Sequence, residues 1–395
     1  MDFSVIGQWL RDLLLGWGLS PGLTTFILKA LGALVLGLIT LLWSGIFLTW
    51  LDRKLGARFQ GRLGPNRVGK FGIFQPVADL VKLLVKEDTT PAGADKVIFN
   101  LAPLLAIMAV VGIWGVVPFA PQLIGTDLNV GVLFIVSVGS IGTLAIMLAG
   151  WSSNNKYAML GAFRVAAQLV SYEVPMVLVL LVPTMLAGSM STTTIVEQQS
   201  TWYVLLAPIA ALIFFISSLA EVGRAPFDLL EAESEIVSGY NIEYSGMKFG
   251  MLFVAEYLHS FTIAALTAML FLGGWQGPGA EAYPLLGFLY FMIKTSIVYF
   301  VVTNLRFAMP RVRIDQLMGL NWKFLTPLSL AAVILAAVAD KLAQALGWNR
   351  IGVHLAANGL LLLFTLIALS LFARSHRRKL DPIVGRGAAP VTVPD

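Results

Sequence analysis

Nine stretches of this chain stay apolar for about 20 residues or more, near 25–50, 98–118, 131–151, 163–187, 202–221, 248–273, 284–306, 324–346 and 353–373. A helix of about 20 residues crosses the roughly 30 Å hydrocarbon core of a bilayer. Inside that core each backbone N–H and C=O has to be satisfied within the segment or by a closed barrel. Barrel strands need about half that length and alternate in polarity, which these stretches do not. The pattern predicts an all-α protein, a polytopic transmembrane helical bundle with about nine spans. Composition agrees, because with 57% hydrophobic and 12% charged residues the polar side chains are too few to cover a water-soluble surface of this size.

Charge then orients the bundle. Lys and Arg crowd alternate connections: Arg53, Lys54, Arg58, Arg62, Arg67, Lys70, Lys82, Lys86 and Lys96 in the first, then Lys156 and Arg164, Arg224 and Lys248, Arg306, Arg311, Arg313 and Lys323, and a basic tail. The remaining connections hold almost none. The positive-inside rule predicts an external N-terminus, a cytoplasmic C-terminus and three long cytoplasmic connections, 51–97, 222–247 and 307–323. Residues 1–24 read as an interfacial segment with Trp9, Leu10, Leu13, Leu14 and Trp17 on a short helix. Asp2, Arg11 and Asp12 interrupt any signal-peptide core. A single transmembrane domain, 25–373, and a basic cytoplasmic tail, 374–395, complete the division. The sequence pI near 9.4 follows from this asymmetry and asks for no nucleic acid.

Several chemistries are excluded. Without cysteine the chain forms no disulfide and ligates no iron–sulfur cluster through thiolates. Three histidines, His259, His354 and His376, argue against paired haem ligands, and no phosphate loop or dinucleotide fingerprint is present. No metal site is expected. Electrons have to come from a partner.

Three groups of residues carry candidate chemistry. The segment LDRKLGARFQGRLGPNRVGKFG, 51–72, places Gly64, Pro65, Asn66 and Gly69 where a helix cannot continue. An irregular turn lined by Asp52, Arg53, Gln60 and Arg62 suits the polar end of a quinone site, whose tail needs an apolar slot. After it, Phe74, Val77, Ala78, Val81, Leu84 and Val85 recur at helical spacing opposite Asp79, Lys82 and Lys86, predicting an amphipathic helix at the membrane surface. The second group lies in EVGRAPFDLLEAESEIVSGYNIEYSG, 221–246, which gathers Glu221, Asp228, Glu231, Glu233, Glu235 and Glu243 around Arg224. A helix over 228–238 would put Asp228, Glu231 and Glu235 on one face, where like charges repel. Those acids are therefore expected to be paired or protonated, and packed carboxylates of this kind can pass protons. Third are ionisable residues within spans, Glu173, Glu256 and Lys294, with Arg164 at the start of the fourth span; such groups are costly in a bilayer and mark relays. Tyr172 and Pro175 around Glu173 predict a locally distorted helix. Lone His259 reads as a packed or hydrogen-bonded residue rather than a ligand, and Lys29 as snorkelling.

At these residues the chain resembles the H subunit of proton-pumping NADH:quinone oxidoreductase, respiratory complex I, over nearly its whole length. The matching strings are FQGRLGPNRVG, GIFQPVADLVKLLVKED, NKYAMLGAFRVAAQLVSYEVP, RAPFDLLEAESEIVSGYNIEYSGMKF, AEY at 255–257 and RFAMPRVRIDQLMGLNWK. The resemblance implies a multisubunit complex in the bacterial inner membrane, with other membrane-arm and peripheral-arm subunits as partners. Quinone would be the substrate, and flavin and iron–sulfur clusters would reside only in partner subunits. It implies that Asp52, Arg53, Arg62 and Asp79 lie at the quinone chamber with Phe227 and Asp228 walling it. It further implies that Glu221, Glu231, Glu233, Glu173 and Glu256 form an acidic relay, supported by Arg164, Arg224, Lys294, Arg306 and Arg311. Departures are an Asp at position 52 where Glu is usual, Leu230 where Pro is common, no acid in the third span, and a ninth span that only some members have. The equivalent membrane protein of an energy-converting hydrogenase, a secondary ion transporter using Glu173, Glu256 and Lys294, and a structural scaffold are the alternatives. Quinone type, electron donor and proton count are not encoded here.

Overall fold

The architecture comes from a computed structural model that describes residues 3–384 apart from Gln122, Glu231 and Ala232. Among the described residues the named elements are all helical, with one isolated β-bridge between Ala120 and Leu123. The segment expected to lie at the interface contains α1 (Phe3–Gly16), with Trp9 exposed. Next, α2 (Pro21–Trp43) has Lys29 as its one charged residue. A π-helical turn, Ser44–Leu48, joins it to α3 (Thr49–Phe59), so helical structure runs past the last apolar residues to carry Asp52 and Arg53.

The glycine-rich turn after α3 is tied back onto that helix. Lys54 Nζ donates to the Pro65 carbonyl at 2.6 Å, and Trp50 Nε1 donates to the Phe71 carbonyl at 3.0 Å. Gly72 sits at φ +74°, and a Cβ there would lie 2.5 Å from the Pro65 carbonyl oxygen. Only glycine meets both demands. Gly72→Ala is expected to destabilise this turn by about 1–3 kcal/mol, read as faster proteolysis within 60–74; an unchanged cleavage rate would mean that the loop does not hold this turn. The amphipathic helix follows as α4 (Gln75–Val85), with Val81, Leu84 and Val85 exposed.

The bundle is then built from α5 (Lys96–Trp114), α6 (Gly131–Ser152), α7 (Lys156–Ala187), the short α8 (Thr192–Glu197) and α9 (Tyr203–Leu206), α10 (Pro208–Val222), α11 (Glu233–Ile236), α12 (Gly246–Phe271), α13 (Pro284–Ala308), α14 (Ile314–Leu320), α15 (Thr326–Leu346) and α16 (Arg350–Val384). Among the described residues seven helices are long and apolar enough to cross a membrane, counting α14 and α15 as one rod and α16 to Ile367. The 23-residue α2 and the shorter apolar α10 accompany them. The protein is thus an all-α, multipass membrane protein.

Two details differ from the sequence expectations. The stretch 202–221 is interrupted at Ala207, because Pro208 has no N–H to continue the ladder; α10 alone is 15 residues, about 22 Å long. The Leu206 carbonyl left at that break accepts from Asn358 Nδ2 of α16 at 2.8 Å, as a broken membrane helix requires. The region 228–238 is helical only at Glu233–Ile236 among its described residues, so no continuous acidic helix face forms. The helix α7 runs without a break through Pro175 and Pro183 and carries Glu173 within it.

Small residues set the spacing between α5 and α6. On α6, Gly142 approaches Ala109 of α5, where an added Cβ would lie 3.4 Å from the alanine Cβ. Close backbone approach of this kind is how membrane helices associate without a hydrophobic driving force. It also leaves little side-chain volume to fill the space between α5, α6 and α12.

Candidate functional site

Asp52, from the first turn of α3, is buried to 3% exposure. A buried carboxylate needs partners. It accepts from Arg306 Nη1 of α13 at 2.7 Å and from Tyr257 Oη of α12 at 3.2 Å. Arg224, just past the end of α10 and equally buried, lies 4.0 Å away through Nη1. Its Nε donates to Glu256 Oε1 at 2.9 Å, and its guanidinium lies over the Tyr257 ring, 4.2 Å from the centroid. Burial works against the Arg224 charge, but Glu256 and then Asp52 more than restore it, and its pKa is raised. Four chain segments therefore meet at one buried ionic network, with Arg224 between the two carboxylates.

On one side of the network lies an open cleft of about 540 Å³ whose walls include Asp52, Arg53, Gln60, Arg62, Pro65 and Arg306. Arg53 is paired to Asp79 of α4, which also receives Gln75 Nε2 at 3.4 Å. An apolar groove of about 610 Å³, lined by Trp43, Phe47, Met292, Ile297 and Phe300 among others, occupies the same two rods, α2–α3 and α13, on their apolar stretches. Phe300 and Arg306 are about 9 Å apart along α13. Polar cleft and apolar groove thus adjoin.

Glu256 faces the other way into an internal cavity of about 60 Å³, whose wall includes Thr143, Glu221, Tyr240 and His259. A second cavity of about 30 Å³ is lined by Glu173, Glu221 and His259 together with apolar side chains. Each exceeds the roughly 10–15 Å³ that one water needs. Glu221 and His259 belong to both walls, with His259 Nε2 3.5 Å from Glu221 Oε1. At the far end Glu173 Oε1 accepts from Ser140 Oγ of α6 at 2.5 Å. Cleft, ionic network, first cavity and second cavity follow one another through the bundle.

The structure does not bring all the sequence candidates to this line. Asp228 pairs with Arg311 at 2.7 Å, and the Val312 N–H donates to the Pro226 carbonyl at 2.9 Å, so the 226–228 segment is strapped to the chain after α13. Phe227 is buried in a core cluster with Phe99, Tyr172 and Tyr244 and does not line the cleft. Glu235, half exposed, takes Arg164 Nη1 at 2.5 Å, and Glu243 accepts from Asn155 Nδ2 at 2.6 Å. These acids are paired one by one, which relieves the repulsion that a shared helix face would impose. Glu231 lies outside the described residues, and so does the side chain of Glu233. Lys294 is diverted: its Nζ donates to the Gly274 and Gln276 carbonyls at 3.0 and 2.8 Å. It fastens the connection beyond α12, whose last residue is about 22 Å along the helix from Glu256.

Two participants are not singled out by the sequence. His259 reads there as a packed or hydrogen-bonded residue, yet it stands one turn from Glu256 on the same helix face, a spacing of three that is a usable signal. Ser140 carries no signal, because a serine in an apolar helix commonly bonds its own backbone.

A family model described as NADH dehydrogenase matches residues 31–337. The chain is 46% identical over 324 residues to the H subunit of the NADH-quinone oxidoreductase of Dehalococcoides mccartyi strain CBDB1, covering 82% of this chain and 90% of that protein. It is 43% identical over 337 residues to the corresponding protein of Geobacillus kaustophilus, covering 84% and 97%. The corresponding protein of Carboxydothermus hydrogenoformans is 44% identical over 330 residues, covering 82% and 93%.

Proposed function

The chain belongs to the NADH dehydrogenase family that includes the H subunit of NADH-quinone oxidoreductase, and from that premise we propose that it is the quinone-facing membrane component of a redox-driven proton pump. One observation carries the reading: a polar cleft adjoining an apolar groove is joined, through the Asp52–Arg224–Glu256 network, to two small cavities that end at Glu173. The quinone tail would occupy the groove and its headgroup the cleft, against Arg53, Gln60 and Arg62. Electrons would come from a peripheral arm whose proteins carry flavin and iron–sulfur clusters. The N-terminus would face outward and the C-terminus the cytoplasm of a bacterial inner membrane, with Lys and Arg on the inner connections.

Quinone reduction places negative charge at the cleft before protons arrive. At an effective dielectric of about 20, a unit charge about 8 Å away is worth about 2 kcal/mol. That moves a carboxylate by roughly 1.5 pKa units. Arg224, held between Asp52 and Glu256, is placed to transmit the change: a stronger pull toward Asp52 weakens its hold on Glu256 and favours proton uptake there. The acids of the cavities then hand the charge on.

The cleft assignment has a direct test. Arg53→Ala is expected to raise the KM for quinone about tenfold, the loss of about 1.4 kcal/mol of headgroup contact, while reduction of an artificial acceptor by the same complex is unchanged. Quinone kinetics like those of the unaltered complex would remove the cleft from the site.

A further inference from the structure

Ile113, Gly139, Glu221 and His259 line both cavities, and of these Glu221 and His259 can carry a proton. Glu221 comes from the last turn of α10 and His259 from α12, and both line both cavities. Gly139 of α6 completes the same junction; a Cβ on it would come 3.5 Å from Glu221 Oε1. His259 Nε2 lies 3.5 Å from Glu221 Oε1, close enough for a small rotation to bring the two into a hydrogen bond. The buried Nδ1 has no hydrogen-bond partner. A histidine that served only to pack would bond its buried nitrogen to a carbonyl or hydroxyl, since an unsatisfied buried polar atom is costly. Here that atom is enclosed beside the cavity junction with no hydrogen-bond partner among the described side chains and backbone.

We propose that His259 passes protons between the two cavities, taking a proton on Nδ1 and yielding the one on Nε2 to Glu221. One proton enters the ring and one leaves it; no electrons move and no bond other than N–H and O–H changes. A tautomer return resets the ring. The titratable groups facing this junction are Glu256, Glu221 and Tyr240 in the first cavity and Glu173 and Glu221 in the second, so the imidazole stands among acids that can supply and receive its proton. Imidazole suits the place because it is amphoteric with two separate sites. This inference rests on the relay reading above and adds a residue to it.

The test compares three complexes in liposomes: His259→Gln, His259→Glu and Glu173→Gln. Glutamine keeps the size and polarity of the side chain but cannot carry a proton, and glutamate restores a carrier. The glutamine variant is expected to lose about tenfold or more of its coupled turnover, with reduction of an artificial acceptor intact, and the glutamate variant to recover most of it. Full pumping by His259→Gln, equal loss in both histidine variants, or failure of the glutamine variant to assemble would each assign His259 to packing and overturn the proposal. If Glu173→Gln alone fails to pump, the histidine inference falls and the relay stands; if Glu173→Gln pumps normally, the relay itself falls.

Discussion

Arg224→Met is expected to destabilise the assembled protein by about 3–5 kcal/mol, the typical cost of removing one partner from a buried ion pair. The size follows from what is left behind. Asp52 keeps Arg306 and Tyr257, but the largely buried Glu256 loses the guanidinium that holds it. Adding Glu256→Gln to Arg224→Met removes the stranded charge and is expected to restore a large part of that loss. The measurement is the thermal midpoint of the purified complex with each single variant and the pair. A near-additive result would show that the two side chains do not share an interaction. Methionine is chosen because it keeps much of the volume of the arginine's aliphatic stem, so the effect reports loss of the guanidinium rather than a large cavity.

Glu173→Gln carries the second large expectation. Glutamine can still accept the Ser140 hydroxyl hydrogen bond at the same place, so the helix contact between α6 and α7 survives. What disappears is the ability to take up a proton at the end of the second cavity. Proton pumping driven by quinone reduction is expected to fall about tenfold or more, with quinone KM unchanged because Glu173 lies two cavities away from the cleft. Acidification of the liposome lumen read against quinone reduction separates the two quantities. Normal pumping would sink the relay.

Much of this is legible in the chain itself. Apolar runs of membrane-crossing length dictate helices, because no other open structure satisfies its own backbone in hydrocarbon. The amphipathic run at 74–85 and the turn residues after Gln60 appear where period and glycine content place them. Asp52, Arg53 and Arg62 are identifiable from the turn that follows the first span, and Glu173 and Glu256 as ionisable groups within spans, where charge is costly. Less legible is the fate of the acidic connection. Its carboxylates look like one conduit because they are adjacent in sequence, but Asp228, Glu235 and Glu243 each find a different partner from a different segment.

The sequence alone therefore determined the kind of elements and the inventory of groups that can hold charge, since both follow from local patterns and from the cost of burying polarity. Tertiary structure alone decided which of those groups act together. Arg224 joins Asp52 to Glu256 only because α3, α10, α12 and α13 converge there, across sequence separations that no period encodes. Lys294, as conspicuous in sequence as Glu256, was drawn to loop carbonyls at the other end of α12, whereas the inconspicuous His259 came to stand at the junction of the two cavities. A buried charge is settled by the partner within reach, and reach is a property of the folded chain.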